Sequence, residues 1–195
     1  MISERVKRFP AIRDLNIHDI SLIDALPVYG IKKEILNVGC GPGRIDYHLK
    51  NMGWKIYATD LEEYPQWGEL RKHGIQFTKS DIFNISSFPV SGCEIVMCNH
   101  VIEHIEDWRL AFKNLINLTK TRLIMSFPYK TSFNDPDHCN YWDDEKNGNF
   151  LDVKEFINLA KPYAVSLSKE RTKPQDKGTN KYEYLLIVDK RQKYN

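Results

Sequence analysis

Three glycines spaced two apart stand in Asn37-Val38-Gly39-Cys40-Gly41-Pro42-Gly43, directly after a short apolar run at 34–38. Glycines in such a turn let the backbone bend sharply and approach a ligand closely. A helix starting just behind them turns its free N–H groups and the positive end of its dipole toward that ligand. A dinucleotide fingerprint, G-x-G-x-x-G, needs a glycine where Arg44 stands, so the spacing argues against a nicotinamide dinucleotide. Asp60 closes the next strand-like segment, a position from which a carboxylate accepts both hydroxyls of a ribose. Asp81 follows the third such segment and can meet an exocyclic amine, with Ile82 and Leu61 offering apolar surface to a purine. Taken singly, each Asp reads equally well as a helix cap or a solvated turn. Together, in this order along the chain, they describe a site for a nucleoside.

These residues need elements to position them. Pro10 and Pro27 bracket an amphipathic stretch from His18 to Leu26, expected to be a helix capped near Asn16. The run Glu34–Val38 reads as a buried strand. A helix from Ile45 to Met52 follows, closed by Gly53. A strand over 54–60, a helix over 66–73 and a short strand over 75–78 come next, and Glu94 to Cys98 reads as a fourth strand. Trp108, Ala111, Phe112, Leu115 and Leu118 lie on one face of a helix spanning 106–118. A fifth strand at 122–127 leads into a polar, aromatic loop at 129–149 and a helix from Val153 to Ala160. Two last strands, 163–169 and 182–188, flank a Lys/Pro/Gly-rich loop at 173–181. Alternating strands and helices imply βαβ units with helices on both faces of a sheet. The last two strands have no helix between them and should pair antiparallel. The expected fold is therefore α/β: a Rossmann-like three-layer sandwich whose mostly parallel seven-stranded sheet ends in an antiparallel C-terminal hairpin strand. Residues 1–30 read as an N-terminal extension with a helix on the substrate side, and 31–195 as the main domain. Ligands in such sheets sit beyond the strands' carboxyl ends, where strand order reverses.

Composition bounds the rest. Hydrophobic residues make up 42% and aromatics 12% of the 195 residues, enough to fill a core. The net charge of +2 sets up no global field toward nucleic acid or an anionic membrane. No apolar run approaches the roughly 18 residues of a membrane span, and the first eight residues lead into no signal-like segment. Cys40, Cys93, Cys98 and Cys139 form no C-x-x-C pair and read as reduced thiols, which places the protein in the cytoplasm. The segment from Lys161 onward is basic and reads as a solvated hairpin face.

Ile35-Leu-Asn-Val-Gly-Cys-Gly-Pro-Gly43, Ala58-Thr-Asp60, Ser80-Asp-Ile82 and Met97-Cys-Asn-His-Val-Ile-Glu-His-Ile105 together resemble the class I S-adenosylmethionine (SAM)-dependent methyltransferases, over about residues 34–190. The resemblance implies SAM as cofactor and S-adenosylhomocysteine (SAH) as product. It implies that the turn holding Gly39, Cys40, Gly41 and Gly43 faces the methionine part. Asp60 and Leu61 would meet the ribose and base, Asp81 and Ile82 the adenine, and Asn99 and His100 would close over the cofactor. Asn37 stands where the family usually has an acid, and brings no negative charge to the cofactor's amino group.

Methyl transfer to a hydroxyl asks mainly for proximity and alignment, worth about 7–11 kcal/mol, and for a base, worth about 10²–10⁴ in rate. The candidate bases are His138, in Asp135-Pro-Asp-His138, and His104. The loop from Phe127 to Trp142 is similar to that of methyltransferases linked to sugars and surface polysaccharides, which implies a small polar acceptor. His100, Glu103 and His104 have the spacing of one helical face and, with His138, would suit a divalent metal. That arrangement resembles the metal-dependent 2′-O-methyltransferases of small RNAs and some quinone O-methyltransferases, which carry Glu where His100 stands; a site without metal is expected. The same motifs are also compatible with transfer to a protein side chain and with a non-catalytic SAM-binding module. The expected partner is a small-molecule substrate and no membrane, with nucleic acid kept as the alternative acceptor.

Overall fold

The computed structural model describes residues 15, 17–27, 34–128, 153–171 and 182–193. The expectations for Asn16, His138, Cys139 and the loops 129–149 and 173–181 lie outside the described residues. In chain order the elements are α1 (Ile17–Asp24), β1 (Glu34–Val38), α2 (Arg44–Asn51), β2 (Lys55–Asp60), α3 (Trp67–Arg71), β3 (Gln76–Lys79), β4 (Cys93–Asn99), α4 (Trp108–Leu118), β5 (Thr119–Pro128), α5 (Val153–Ala160), β6 (Tyr163–Arg171) and β7 (Tyr182–Lys193). Single 3₁₀ turns at Ile85–Ser87 and Ile102–His104 interrupt the loops around β4.

The seven strands form one sheet in the order β3-β2-β1-β4-β5-β7-β6. Pairings from β3 through β5 are parallel, while β7 runs antiparallel to both β5 and β6. The chain thus reverses direction of travel across the sheet between β1 and β4, where the two strands' carboxyl ends leave a crevice.

Side-chain alternation explains the three layers. On β1, Ile35 packs with α1, α2 and α3 through Leu22, Ile45, Leu49 and Trp67. Leu36 and Val38 point the other way, toward Trp108, Phe112 and Phe156 of α4 and α5. β4 repeats the pattern, with Ile95 and Met97 on the first face and Val96 and Cys98 on the second. Strands covered on both faces read as continuous apolar runs, which is why β1 and β4 stand out in the sequence. Phe156 closes the second core, with ring centroids 4.5 Å from Trp108, 4.8 Å from Phe112 and 5.5 Å from Phe127.

The differences from expectation have local causes. Asp107 caps α4 by accepting from Leu110 N at 3.2 Å, so the helix starts at Trp108 instead of Glu106. β5 begins at Thr119, not Arg122, because α4 passes straight into it, with Thr119 Oγ1 donating to Leu115 O at 2.7 Å. The helical face on which His100, Glu103 and His104 would have met does not form. His100 takes a left-handed conformation (φ 53°) and only a single 3₁₀ turn follows. Among the described residues, no three His, Cys, Asp or Glu side chains gather to hold a metal ion.

Three substitutions test this packing. Phe156→Ala should lower unfolding free energy by about 3–5 kcal/mol in urea titrations, since the site is ringed by rigid aromatics. Gly39 (φ 75°) and Gly53 (φ 86°) are both left-handed, but a Cβ on Gly39 would lie 2.1 Å from Val101 Cγ2, whereas one on Gly53 meets nothing within 4 Å. Both Ala variants carry a conformational penalty of about 1–2 kcal/mol. Thermal unfolding should therefore show Gly39→Ala lowering the midpoint clearly more than Gly53→Ala.

Candidate functional site

The glycine turn is suspended from β2. Gly39 N and Cys40 N both donate to Thr59 O, at 2.8 and 2.9 Å. Gly41 N donates to Asp60 Oδ2 at 2.8 Å, and the buried Trp67 indole donates to Gly41 O at 2.8 Å. Gly43 has no room for a side chain, because a Cβ would lie 2.7 Å from both Leu70 Cδ1 and Phe77 Cζ. α2 therefore starts hard against α3 and β3, and its first turn opens toward the crevice.

Two cavities flank this turn and share Gly39. The larger, about 480 Å³, runs over the ends of β1, β2 and β3, with Asp60, Leu61, Asp81 and Ile82 in its wall. Its far wall comes from the segment after β4, including Val101, His104 and Ile105. Leu61 is 62% exposed and Phe83 46% exposed at its rim, an apolar mouth suited to the face of a flat ring. Asp81 Oδ1 accepts from Phe83 N at 2.9 Å, so its carboxylate is held by its own turn.

The smaller cavity, about 80 Å³, is lined by Asn37, Gly39, Cys40, Asn99, Asp19 and Arg44, among others. Arg44 Nε lies 2.8 Å from Asp19 Oδ2, an ion pair across α1 and α2 with Asp19 only 2% exposed. Asn37 Nδ2 reaches both oxygens of the fully buried Asp46, at 2.9 and 3.0 Å. Burial raises the Asp46 carboxyl to about 7, even though the Asn37 hydrogen bond opposes the rise. Burial, reinforced by Asp46 and Asp60, also pushes the Cys40 thiol well above its usual range. Cys40 is therefore a neutral wall residue rather than a nucleophile.

His100 and Asn99 part company. Asn99 lines the small cavity and takes a hydrogen bond from Ser126 Oγ. His100 lines neither cavity and faces β7, with Nδ1 3.0 Å from Glu103 Oε1 and Nε2 2.8 Å from Glu183 Oε1. Burial works against its cation, but the two carboxylates outweigh that and lift it to about 10. His104 sits in the wall of the larger cavity with Asp81 and Ile82. Of the residues singled out by sequence, Gly39, Asp60, Leu61, Asp81, Ile82 and His104 thus share one cavity, and Asn37, Cys40 and Asn99 share the other with Gly39. Gly41 and Gly43 build the turn between them. Asp19, Arg44, Asp46 and Val101 escape sequence reasoning. A glycine turn followed by a basic residue is a visible signal for Arg44, but nothing in spacing brings Asp19 or Asp46 to the site.

Comparison with known proteins agrees with this geometry. Residues 36–124 match the model of a methyltransferase domain. The chain is 30% identical over 97 residues to a ubiquinone biosynthesis O-methyltransferase from Rickettsia typhi, covering 46% of this chain and 37% of that protein. It therefore spans little more than a third of that curated relative. Among solved structures, YcgJ from Bacillus subtilis superposes with a TM-score of 0.66 at 11% identity, covering 91% of this chain and 99% of that one. Magnesium protoporphyrin IX methyltransferase from Synechocystis, solved with SAH, gives 0.64 at 17% identity over 95% and 93%. A Burkholderia thailandensis 1,6-didemethyltoxoflavin N1-methyltransferase, also with SAH, gives 0.60 at 15% over 80% and 70%. At such identities the likeness is one of fold. The glycine turn at the strand-order reversal, Asp60 at the end of β2 and Asp81 just after β3 all fall within residues 36–124, the part of the chain that matches a methyltransferase domain.

Proposed function

We propose that this protein transfers the methyl group of SAM to a hydroxyl of a small polar acceptor, a sugar or similar metabolite. The observation that carries the cofactor part is the pair of cavities meeting at Gly39, one walled by Asp60 and Asp81, the other holding the Asp19–Arg44 ion pair. The donor set fits the ligand. Asp60 suits ribose hydroxyls, Asp81 an exocyclic amine, Ile82 and Leu61 the purine faces. The turn of Gly39, Cys40, Gly41 and Gly43, with Asn37, Asn99, Asp19 and Arg44, suits a zwitterionic amino-acid end. When bound there, the sulfonium supplies an activated methyl group. The chain's own part would be to pin the ligand at both ends, in the two cavities that meet at Gly39.

A hydroxyl acceptor agrees with the relative from Rickettsia typhi, whose name specifies O-methylation. In this reading His138 is the base. His104, in the same wall as Asp81, is reassigned to the cofactor side. His100, held between Glu103 and Glu183, is a structural cation that ties the segment after β4 to β7. The domain is 31–195. Within the leading segment, Asp19 of α1 adds to the methionine end of the site instead of the substrate side alone. The setting is cytoplasmic, where the buried free thiols Cys40, Cys93 and Cys98 stay reduced.

Titration calorimetry tests the cofactor claim directly. SAH should bind the wild-type protein, and Asp60→Ala should weaken it at least tenfold, the loss of two charge-assisted hydrogen bonds. Equal binding to both proteins would remove Asp60 from the ribose. For the acceptor, SAH release measured with panels of hydroxyl, amine and thiol compounds should appear with hydroxyls and fall about 10²-fold in His138→Ala. Release with amines alone would overturn the hydroxyl assignment.

A further inference from the structure

We propose that Asp46 is a positioning residue for the cofactor's amino-acid end: buried behind Asn37, it turns that amide so its carbonyl oxygen faces the small cavity and accepts the α-ammonium. This rests on the SAM reading above and goes beyond it by naming the group that restores the charge missing at position 37.

The geometry leaves little choice. An ionised carboxylate only accepts hydrogen bonds, so the amide must present its NH₂ to Asp46. Nδ2 lies 2.9 and 3.0 Å from the two carboxylate oxygens. Asn37 also lines the small cavity. With its nitrogen committed inward, the carbonyl oxygen is the polar atom it offers there. Asp46 is 0% exposed and lines neither cavity, so it acts on a ligand through Asn37. The acid thus sits one residue deeper than a direct ammonium ligand, on α2 instead of β1.

The surrounding charges support a cation at this place. Asp19 from α1 and Asp60 from β2 both raise the Asp46 carboxyl, and the Cys40 thiol in the turn is neutral. Arg44, on Asp46's own helix, is paired with Asp19. A bound ammonium relieves this like-charge crowding and favours the ionised form of Asp46. At pH 7, close to the value of about 7 for the carboxyl, ligand binding should therefore release protons. Once protonated, Asp46 becomes a donor, the amide is free to turn over, and the cavity loses its acceptor.

The folding consequence has a definite sign. The folded-state value lies above the ordinary one, so ionising Asp46 costs stability, from the ordinary carboxylate range upward and fully above about pH 7. Asp46→Asn removes that cost, and its melting temperature at pH 8 should equal or exceed the wild type's.

The experiment compares two ligands by calorimetry: SAH, and 5′-methylthioadenosine, which lacks the amino-acid end. At pH 8, Asp46→Asn should bind SAH about tenfold more weakly and methylthioadenosine within about twofold of wild type. Buffers of different ionisation enthalpy at pH 7 should show proton release on SAH binding to the wild type, none with methylthioadenosine, and none in the variant. The transposed pair Asn37→Asp/Asp46→Asn should recover SAH affinity. Equal loss of both ligands, unchanged SAH binding, or proton release persisting in Asp46→Asn overturns the proposal while leaving the cofactor reading intact. Failure of the wild type to bind either ligand overturns both.

Discussion

Everything at the site follows from one carbonyl. Thr59 O receives the N–H groups of both Gly39 and Cys40, so the turn after β1 hangs from the end of β2. Two donors on one acceptor fix the height of the turn above the sheet. The left-handed conformation of Gly39 then brings its α-carbon against Val101, on the far side of the crevice. Asp60, next in β2, ties down Gly41 with the same carboxylate that faces the larger cavity. Rigid backbone, not loop flexibility, therefore sets the distance between the two cavities that meet at Gly39. Pre-set geometry of this kind spares a bound ligand the entropy of ordering the protein.

Charge is distributed unevenly over this frame. Asp19, Asp46 and Asp60 converge near the turn, with Arg44 paired to the first of them. Such crowding is unfavourable for the empty protein and suits a partner bearing positive charge. At the opposite side of the crevice the polarity is arranged differently, with a protonated imidazole at His100 held between Glu103 and Glu183. That cluster ties the segment after β4 to β7 and so fixes the wall that carries Val101 and His104. Stability and ligand recognition share residues at both ends, the usual situation where function needs strained or like-charged groups.

What the chain discloses about itself depends on the range of the interaction. β1, β4 and α4 are legible because burial on one or two faces leaves a periodic trace in the sequence. The sheet type and the antiparallel pairing of β6 and β7 follow from whether a helix intervenes. Asp60 and Asp81 stand out because the first ends β2 and the second closely follows β3, and a strand end is a place the chain itself marks. His100 defeats the spacing rule, since its left-handed backbone breaks the helix that i, i+3, i+4 assumes. Asp46 and Asp19 leave no trace at all. Their roles come from contacts between residues far apart in sequence, and Asp46 in particular looks like an ordinary acid in a helix's first turn.

The placement of β7 between β5 and β6 has a bearing on how the chain is made. During synthesis from the N-terminus, β1 to β5 emerge with their parallel pairings available, but the outer side of β5 must wait for residues 182–193. Until then a ten-residue strand exposes an open row of backbone donors and acceptors. When β7 arrives it is fastened at one end by Arg122 Nη2 donating to Asp189 Oδ2 at 2.7 Å and by Lys190 Nζ donating to Thr119 O at 2.7 Å. Nascent chains stalled before that point would carry a sticky edge, and are the form in which this protein should be most dependent on chaperones.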